Sequence, residues 1–421
     1  MTHGQTVSPV SGSERLHSVD VVRGAAILGI LIVNMGLFFH PIYSEILGLG
    51  TLDDGLNRTI KKGILVFAQG KFYTIFSILF GFGLAIQLER FRDRGISFGN
   101  FWVRRMLVLM GIGLIHGLFL WYGDILFWYS LGGLALFLFR KAKPRTLKIW
   151  AVMLLSIPLL LMAAVTLLVV LVGAVPAAAE EMNQQFEQQA ATLEAALQEA
   201  QDRYPVAGLA ETVRLNIAQW KQVAGFIFVM LPNILGMFVI GLLFARHRLF
   251  HDSAAHVPRI RTALMWLIPL AIVTNGAVGL LFERFSSIVP TGMSLFLQVL
   301  STLGSLSGCL TYIFLLLSAY HSPRAQRFVM PIGAVGRMAL TNYLTHTIVF
   351  TTLANGYGAG LYGRVSLLTG LLLTFATFVV QIALSNAWLR RFRFGPLEWL
   401  WRSLTYGRPQ PMRRPSQPAA A

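Results

Sequence analysis

Histidine exchanges a proton near neutral pH more readily than any other side chain, its unperturbed pKa being about 6.5. In this 421-residue sequence two histidines stand inside apolar runs, where a polar group is costly. His116 lies in RRMLVLMGIGLIHGLFLWYGDIL between Gly113 and Gly117, and Asp124 follows in the GDIL turn. If the chain doubles back there, the carboxylate can orient the imidazole and the two form a general base. Both have plainer uses: a buried histidine often only satisfies packing, and an aspartate ahead of a helix caps its free N–H groups. His346 lies in GAVGRMALTNYLTHTIVF, one turn beyond Asn342 and near Thr341 and Thr345. That polar stripe suits a proton or substrate path, or hydrogen bonds between helices.

Further candidates come earlier in the chain. In HSVDVVRGAAILGILIVN, Asp20 and Arg23 are spaced to pair on one helical face. Asn34 falls about 16 Å further along the axis. His40 follows in the next loop, with Asp53 and Asp54 beyond it, and Lys71 opens another apolar run, where it can line a path or snorkel to the interface.

The elements that must position these groups are membrane helices. The chain is 55% hydrophobic and 13% charged, with a mean hydropathy of +0.63, which excludes an ordinary soluble enzyme. Runs of about 20 apolar residues cross a bilayer as a helix. Candidates lie near 21–39, 71–88, 102–121, 125–140, 149–174, 223–245, 260–282, 291–320, 333–354 and 366–388. They lack the alternation of barrel strands. The expected fold is therefore an all-α polytopic helix bundle of about ten spans. Alternate loops are rich in Lys and Arg, which puts both termini in the cytoplasm and explains the net charge of +17 without nucleic acid. The first span reads as a retained helix rather than a cleaved signal peptide.

Two five-span halves, 1–174 and 223–407, flank a polar segment, 175–222, expected to form an extracytoplasmic helical cap, or else a mobile linker. Residues 408–421, basic and proline-rich, read as a disordered tail. With Cys309 as the one cysteine, no intrachain disulfide can form and no metal site is expected. No Walker loop and no HExxH motif is present, and no dinucleotide GxGxxG follows an expected strand.

LHSVDVVRGAAILGILIVNM, FAQGKFYTIFSILFGFGLAI, RRMLVLMGIGLIHGLFLWYGDILFWYSLGGL, VGRMALTNYL and RFRFGPLEWLWRSLTYG together resemble, in order and spacing, the YeiB-like family of bacterial inner-membrane proteins. The resemblance spans about residues 15–407. It implies membership of a wider superfamily of transmembrane acyltransferases, which includes heparan-α-glucosaminide N-acetyltransferase and bacterial O-acyltransferases of envelope glycans. The O-acyltransferases carry a catalytic histidine after the first-span arginine; here Arg23 is followed by Asn34. The heparan branch has asparagine there and its histidine in the following loop. Here that position is Glu45, and His40 is the nearest histidine. The resemblance implies that Asn34 polarises an acyl carbonyl, an oxyanion-type role. The base then falls to His116 with Asp124.

The expected reaction moves an acyl group from cytosolic acyl-CoA to a hydroxyl or amine of an extracytoplasmic glycan or envelope molecule. Arg23, Arg104, Arg105 and Arg337 would meet the donor's phosphates, and His116 would take the acceptor's proton. A proton-coupled transporter or flippase, with His40, Lys71, Asn342 and His346 along its path, is the competing reading. A non-catalytic scaffold is the third.

Overall fold

A computed structural model describes residues 15–46, 55–94, 97–285 and 288–414. Asp53, Asp54 and residues 415–421 lie outside them. The helices run in order α1 His17–Phe39, α2 Ile42–Ile46, α3 Gly55–Phe67, α4 Lys71–Asp93, α5 Gly99–Ile115, α6 Leu126–Leu136, α7 Pro144–Gly173, α8 Pro176–Arg203 and α9 Leu209–Arg246. They continue as α10 Ser253–Phe285, α11 Gly292–Tyr320, α12 Pro323–Val329, α13 Ile332–Arg337, α14 Ala339–Ala354, α15 Leu367–Arg391 and α16 Pro396–Tyr406. The protein is a polytopic bundle of membrane helices, as its composition requires.

Among the described residues, eight helical stretches are long and apolar enough to span a bilayer: His17–Phe39, Gly55–Asp93, Gly99–Leu120, Pro144–Gly173, Leu209–Arg246, Ser253–Phe282, Gly292–Tyr320 and Leu367–Arg391. The expected spans at 125–140 and 333–354 take shorter forms. The first is the apolar helix Leu126–Phe139, whose last turn tightens to a 3-10 helix. The second breaks at Met338 (φ −110°, ψ 35°) into α13 and α14. Glu398 of α16 stabilises that break: its Oε1 accepts from the backbone N–H groups of Leu340 (2.6 Å) and Thr341 (3.1 Å). Thr341 Oγ1 donates to Glu398 Oε2 (2.6 Å) and accepts from the Leu397 N–H (3.1 Å), so α14 and α16 cap each other. Burial raises the Glu398 carboxyl above its ordinary pKa, and those hydrogen bonds pull against the shift.

Lipid tails are as apolar as leucine, so close packing holds such helices together more than the hydrophobic effect does. Gly81 of α4 and Gly241 of α9 make one such contact. A Cβ on Gly241 would fall 2.0 Å from the Ile78 carbonyl oxygen, and one on Gly81 1.9 Å from that of Phe238. The apolar window of α1 is 50% buried and that of α7 only 11%, which puts α1 in the middle of the bundle and α7 at its lipid edge.

At 1.5 Å per residue α9 is about 57 Å long, nearly twice the hydrocarbon thickness, so its polar first half projects with α8 beyond the apolar layer. Side-chain contacts tie this hairpin to the rest of the chain. Tyr204 bonds Asn216 (3.2 Å) and Gln219 (3.0 Å) and stacks on Tyr362 at 4.8 Å. Asn216 Nδ2 donates to the Leu120 carbonyl (3.1 Å), tying the cap to the chain just after His116. At the opposite, basic end, residues 408–414 are not the disordered tail that composition suggests. They fold back along the end of α15, with Arg393 N–H bonded to Met412 O (2.8 Å) and Arg414 N–H to Arg391 O (3.1 Å). Hydrogen bonds offset the chain entropy that favours disorder: Trp399 Nε1 also donates to Gln410 O (2.7 Å).

Candidate active site

The candidate site begins where α5 ends. From His116 to Leu120 the helix widens into one π turn, closed by Trp121 N–H to His116 O (2.9 Å). Such turns re-aim a side chain without ending the helix. The chain then reverses, and Asp124 Oδ2 caps α6 by accepting from the Phe127 N–H (2.7 Å). Glycine makes the hairpin possible: a Cβ on Gly113 would meet Phe127 N at 2.3 Å, and one on Gly117 would meet Trp220 Nε1 at 2.9 Å and Asp124 Cβ at 3.2 Å.

Within this hairpin His116 Nδ1 lies 2.8 Å from Asp124 Oδ1, and His116 Nε2 lies 2.8 Å from Thr347 Oγ1. All three side chains are buried. Asp124 serves as both cap and imidazole partner, so the two uses open to it in the sequence coexist. The network assigns the tautomer. A carboxylate accepting from Phe127 also accepts from Nδ1–H, which leaves the Nε2 lone pair facing the Thr347 hydroxyl. That is the arrangement of a general base holding a hydroxyl.

Thr347 is the member that sequence reasoning missed. Thr345, Thr351 and Thr352 in the same helix spend their hydroxyls on the carbonyl one turn back, at 2.6–2.7 Å; Thr347 points across the bundle instead. The signal available was its place one turn after Tyr343, whose ring also packs on His116 at 5.3 Å. Trp121 completes the wall, 6.5 Å from the imidazole between ring centroids. Among the described residues its buried indole N–H has no partner, and neither has that of Trp220.

The remaining candidates lie elsewhere. Asn34, half-buried on α1, makes no hydrogen bond with His116, Asp124 or Thr347. Asn342 and His346 form a second network: His346 Nε2 to Gln381 Oε1 (2.7 Å), Gln381 Nε2 to Asn342 O (3.1 Å) and Asn342 Nδ2 to Ser385 Oγ (3.1 Å). These contacts join α14 to α15. One residue on, about 100° around the helix, Thr347 instead reaches His116. His40 is buried with Nε2 2.9 Å from Val365 O, and Lys71 Nζ donates to Leu65 O (3.0 Å). Both join chain segments.

The four arginines gather at the basic end but not around one point. Arg23 shares Asp20 with Arg15, at 3.4 and 2.5 Å. Arg105 stacks on Trp401 at 3.7 Å, and Arg104 is exposed beside Gly407. Arg337 lines a cleft with Arg390 and Arg414, two residues that sequence reasoning did not single out.

Fold and site thus define a multi-pass α-helical membrane protein with a buried carboxylate–imidazole–hydroxyl chain under a helical cap. The chain belongs to the YeiB-like family. It is 33% identical over 426 residues to the uncharacterized protein YxaH of Bacillus subtilis (strain 168), covering 97% of this chain and 98% of the relative. To the uncharacterized protein YeiB of Escherichia coli (strain K12) it is 30% identical over 407 residues, 93% and 96% of the two chains. Residues 244–408 match the model of a family described as "Protein of unknown function (DUF418)". No solved structure matches the chain.

Proposed function

We propose that this protein is an integral-membrane acyltransferase of the bacterial cytoplasmic membrane. It moves an acyl group from cytosolic acyl-CoA to a hydroxyl or amine of an extracytoplasmic glycan or other envelope molecule. The observation that carries this reading is His116, buried between the Asp124 carboxylate and the Thr347 hydroxyl. At rest Thr347 fills the position on Nε2 that an acceptor hydroxyl takes in the reaction. Nε2 removes the acceptor's proton as its oxygen attacks the thioester carbonyl. The imidazolium that forms is stabilised by Asp124 and returns the proton to the departing thiolate. The unpartnered N–H of Trp121 is the donor best suited to the carbonyl oxygen as it gains charge. Asn34 keeps the role that family resemblance gives it only if substrate draws it toward this site. Arginines at the basic end suit the donor's phosphates.

The test is transfer of radiolabel from acetyl-CoA and longer acyl-CoAs to envelope material, in membranes carrying the wild type or His116→Ala at equal abundance. The reading expects incorporation that falls at least about 100-fold in the variant. Incorporation undiminished in folded His116→Ala contradicts it, and proton-coupled flux lost in that variant without any acyl transfer would favour transport.

A further inference from the structure

We propose that the cleft at the basic end is a binding site for a phosphate group, held by Arg337, Arg390 and Arg414. The cleft is about 280 Å³ in volume, and His17, Asp20 and Asn386 also line it. Its three arginines come from three separate segments: the end of α13, the end of α15 and the returning tail. Among the described residues none of the three guanidinium groups has a hydrogen bond or ion pair, and the buried Nε of Arg337 has no hydrogen-bond partner there. A buried, unpaired guanidinium nitrogen is costly unless something else accepts from it.

Among the described residues lining the cleft, the one carboxylate is already shared with two arginines outside this trio. Asp20 is engaged by Arg15 through Nε (2.5 Å) and a terminal nitrogen (3.1 Å), and by Arg23 at 3.4 Å. The cleft is therefore left with a surplus of positive charge. Its shape is also actively maintained. The Phe392–Arg413 bridge and the hydrogen bonds of Arg393 and Arg414 hold the tail in the place that brings Arg414 to the rim.

Three planar forks approaching from different segments suit a tetrahedral oxyanion with several acceptor oxygens better than a two-oxygen carboxylate. Phosphate of this kind has two sources at a membrane face: a soluble phosphorylated molecule such as coenzyme A, or the headgroup of an anionic phospholipid. The site stands on its own geometry and does not depend on acyl transfer by His116.

The experiment uses the full chain in detergent, with coenzyme A as the soluble probe and phosphatidylglycerol as the lipid probe, phosphatidylcholine serving as the zwitterionic control. Binding is measured by titration and by native mass spectrometry. The double variant Arg390→Gln/Arg414→Gln removes exposed side chains and leaves the backbone pairing of the tail in place. Arg145→Gln/Arg259→Gln removes two other exposed positive charges as a control. We expect saturable binding of at least one probe, weakened at least about tenfold in the first variant and unchanged in the second. Coenzyme A binding without phosphatidylglycerol binding assigns the site to a soluble phosphate, and the reverse to a lipid. The proposal is overturned if folded wild type binds neither probe, if the first variant binds like wild type, or if both variants lose affinity equally. His116→Ala leaves this binding intact, so failure of the acyl-transfer reading and failure of this site can be told apart.

Discussion

At the scale of single residues, Asp124 does two jobs with two oxygens, and its substitution should show both. Asp124→Asn keeps the cap on α6 in part but can present its amide to Nδ1, which reverses the tautomer and takes the lone pair from Nε2. We expect acyl transfer to fall at least about 100-fold, with a loss of about 1 kcal/mol in thermal stability. Thr347→Val separates two uses of the hydroxyl. If Thr347 only holds the acceptor's place, the variant keeps activity within about tenfold and loses about 1–2 kcal/mol of stability from the unpaired Nε2; a collapse of activity in folded protein would make Thr347 a participant. His116 and Asp124 were legible in the sequence because a short hairpin joins them. Thr347 was not, since its partner lies 231 residues away and its neighbour His346 drew attention to a different face of the helix. Arg390 and Arg414 read as topology signals in the sequence, and only the fold-back of the tail brings them to Arg337.

At the scale of elements, helix positions follow from apolar runs, and breaks follow from contacts that no run of letters displays. Met338 is no helix breaker, yet α13 and α14 part there because Glu398, far along the chain, supplies acceptors for the freed N–H groups. Glu398→Ala removes the acceptor of the Leu340 and Thr341 N–H groups and of the Thr341 hydroxyl, and should cost about 2 kcal/mol, seen as a lower melting temperature in detergent. Glu398→Gln should recover part of that. The α4–α9 crossing offers an independent check. Gly241→Ala sets a methyl against the Ile78 carbonyl, and backbone rather than a flexible side chain must move. A loss of about 1–3 kcal/mol is expected; an unchanged melting temperature would mean that the helices are not so closely packed.

Across the whole molecule, the two ends differ in kind: a polar helical cap on one side, and guanidinium groups with a folded-back tail on the other. Bilayer asymmetry makes this a statement about topology, since basic loops stay in the cytoplasm. Cys309 is buried, so the native chain offers a silent background for thiol labelling. Gln188→Cys on α8 should react with an impermeant maleimide added to intact cells, and Arg413→Cys only after the membrane that holds the protein is broken. Labelling in the reverse order would invert the donor and acceptor sides of the proposed reaction. The bundle class and the helices of the polar segment were legible in the sequence, while the contacts of that segment were not, because Asn216 to Leu120 and Tyr204 to Tyr362 join distant segments.

The central claim is that His116, oriented by Asp124, is the base of an acyl transfer. It is tested most directly by thiol release from acyl-CoA with purified protein in nanodiscs, supplied with envelope extract as acceptor, comparing wild type with His116→Ala and Asp124→Asn. Acceptor-dependent thiol release by the wild type is expected, with a loss of at least about 100-fold in each variant and folding verified by melting temperature. Equal release by wild type and His116→Ala, or none by folded wild type across the acyl-CoA series, would contradict it.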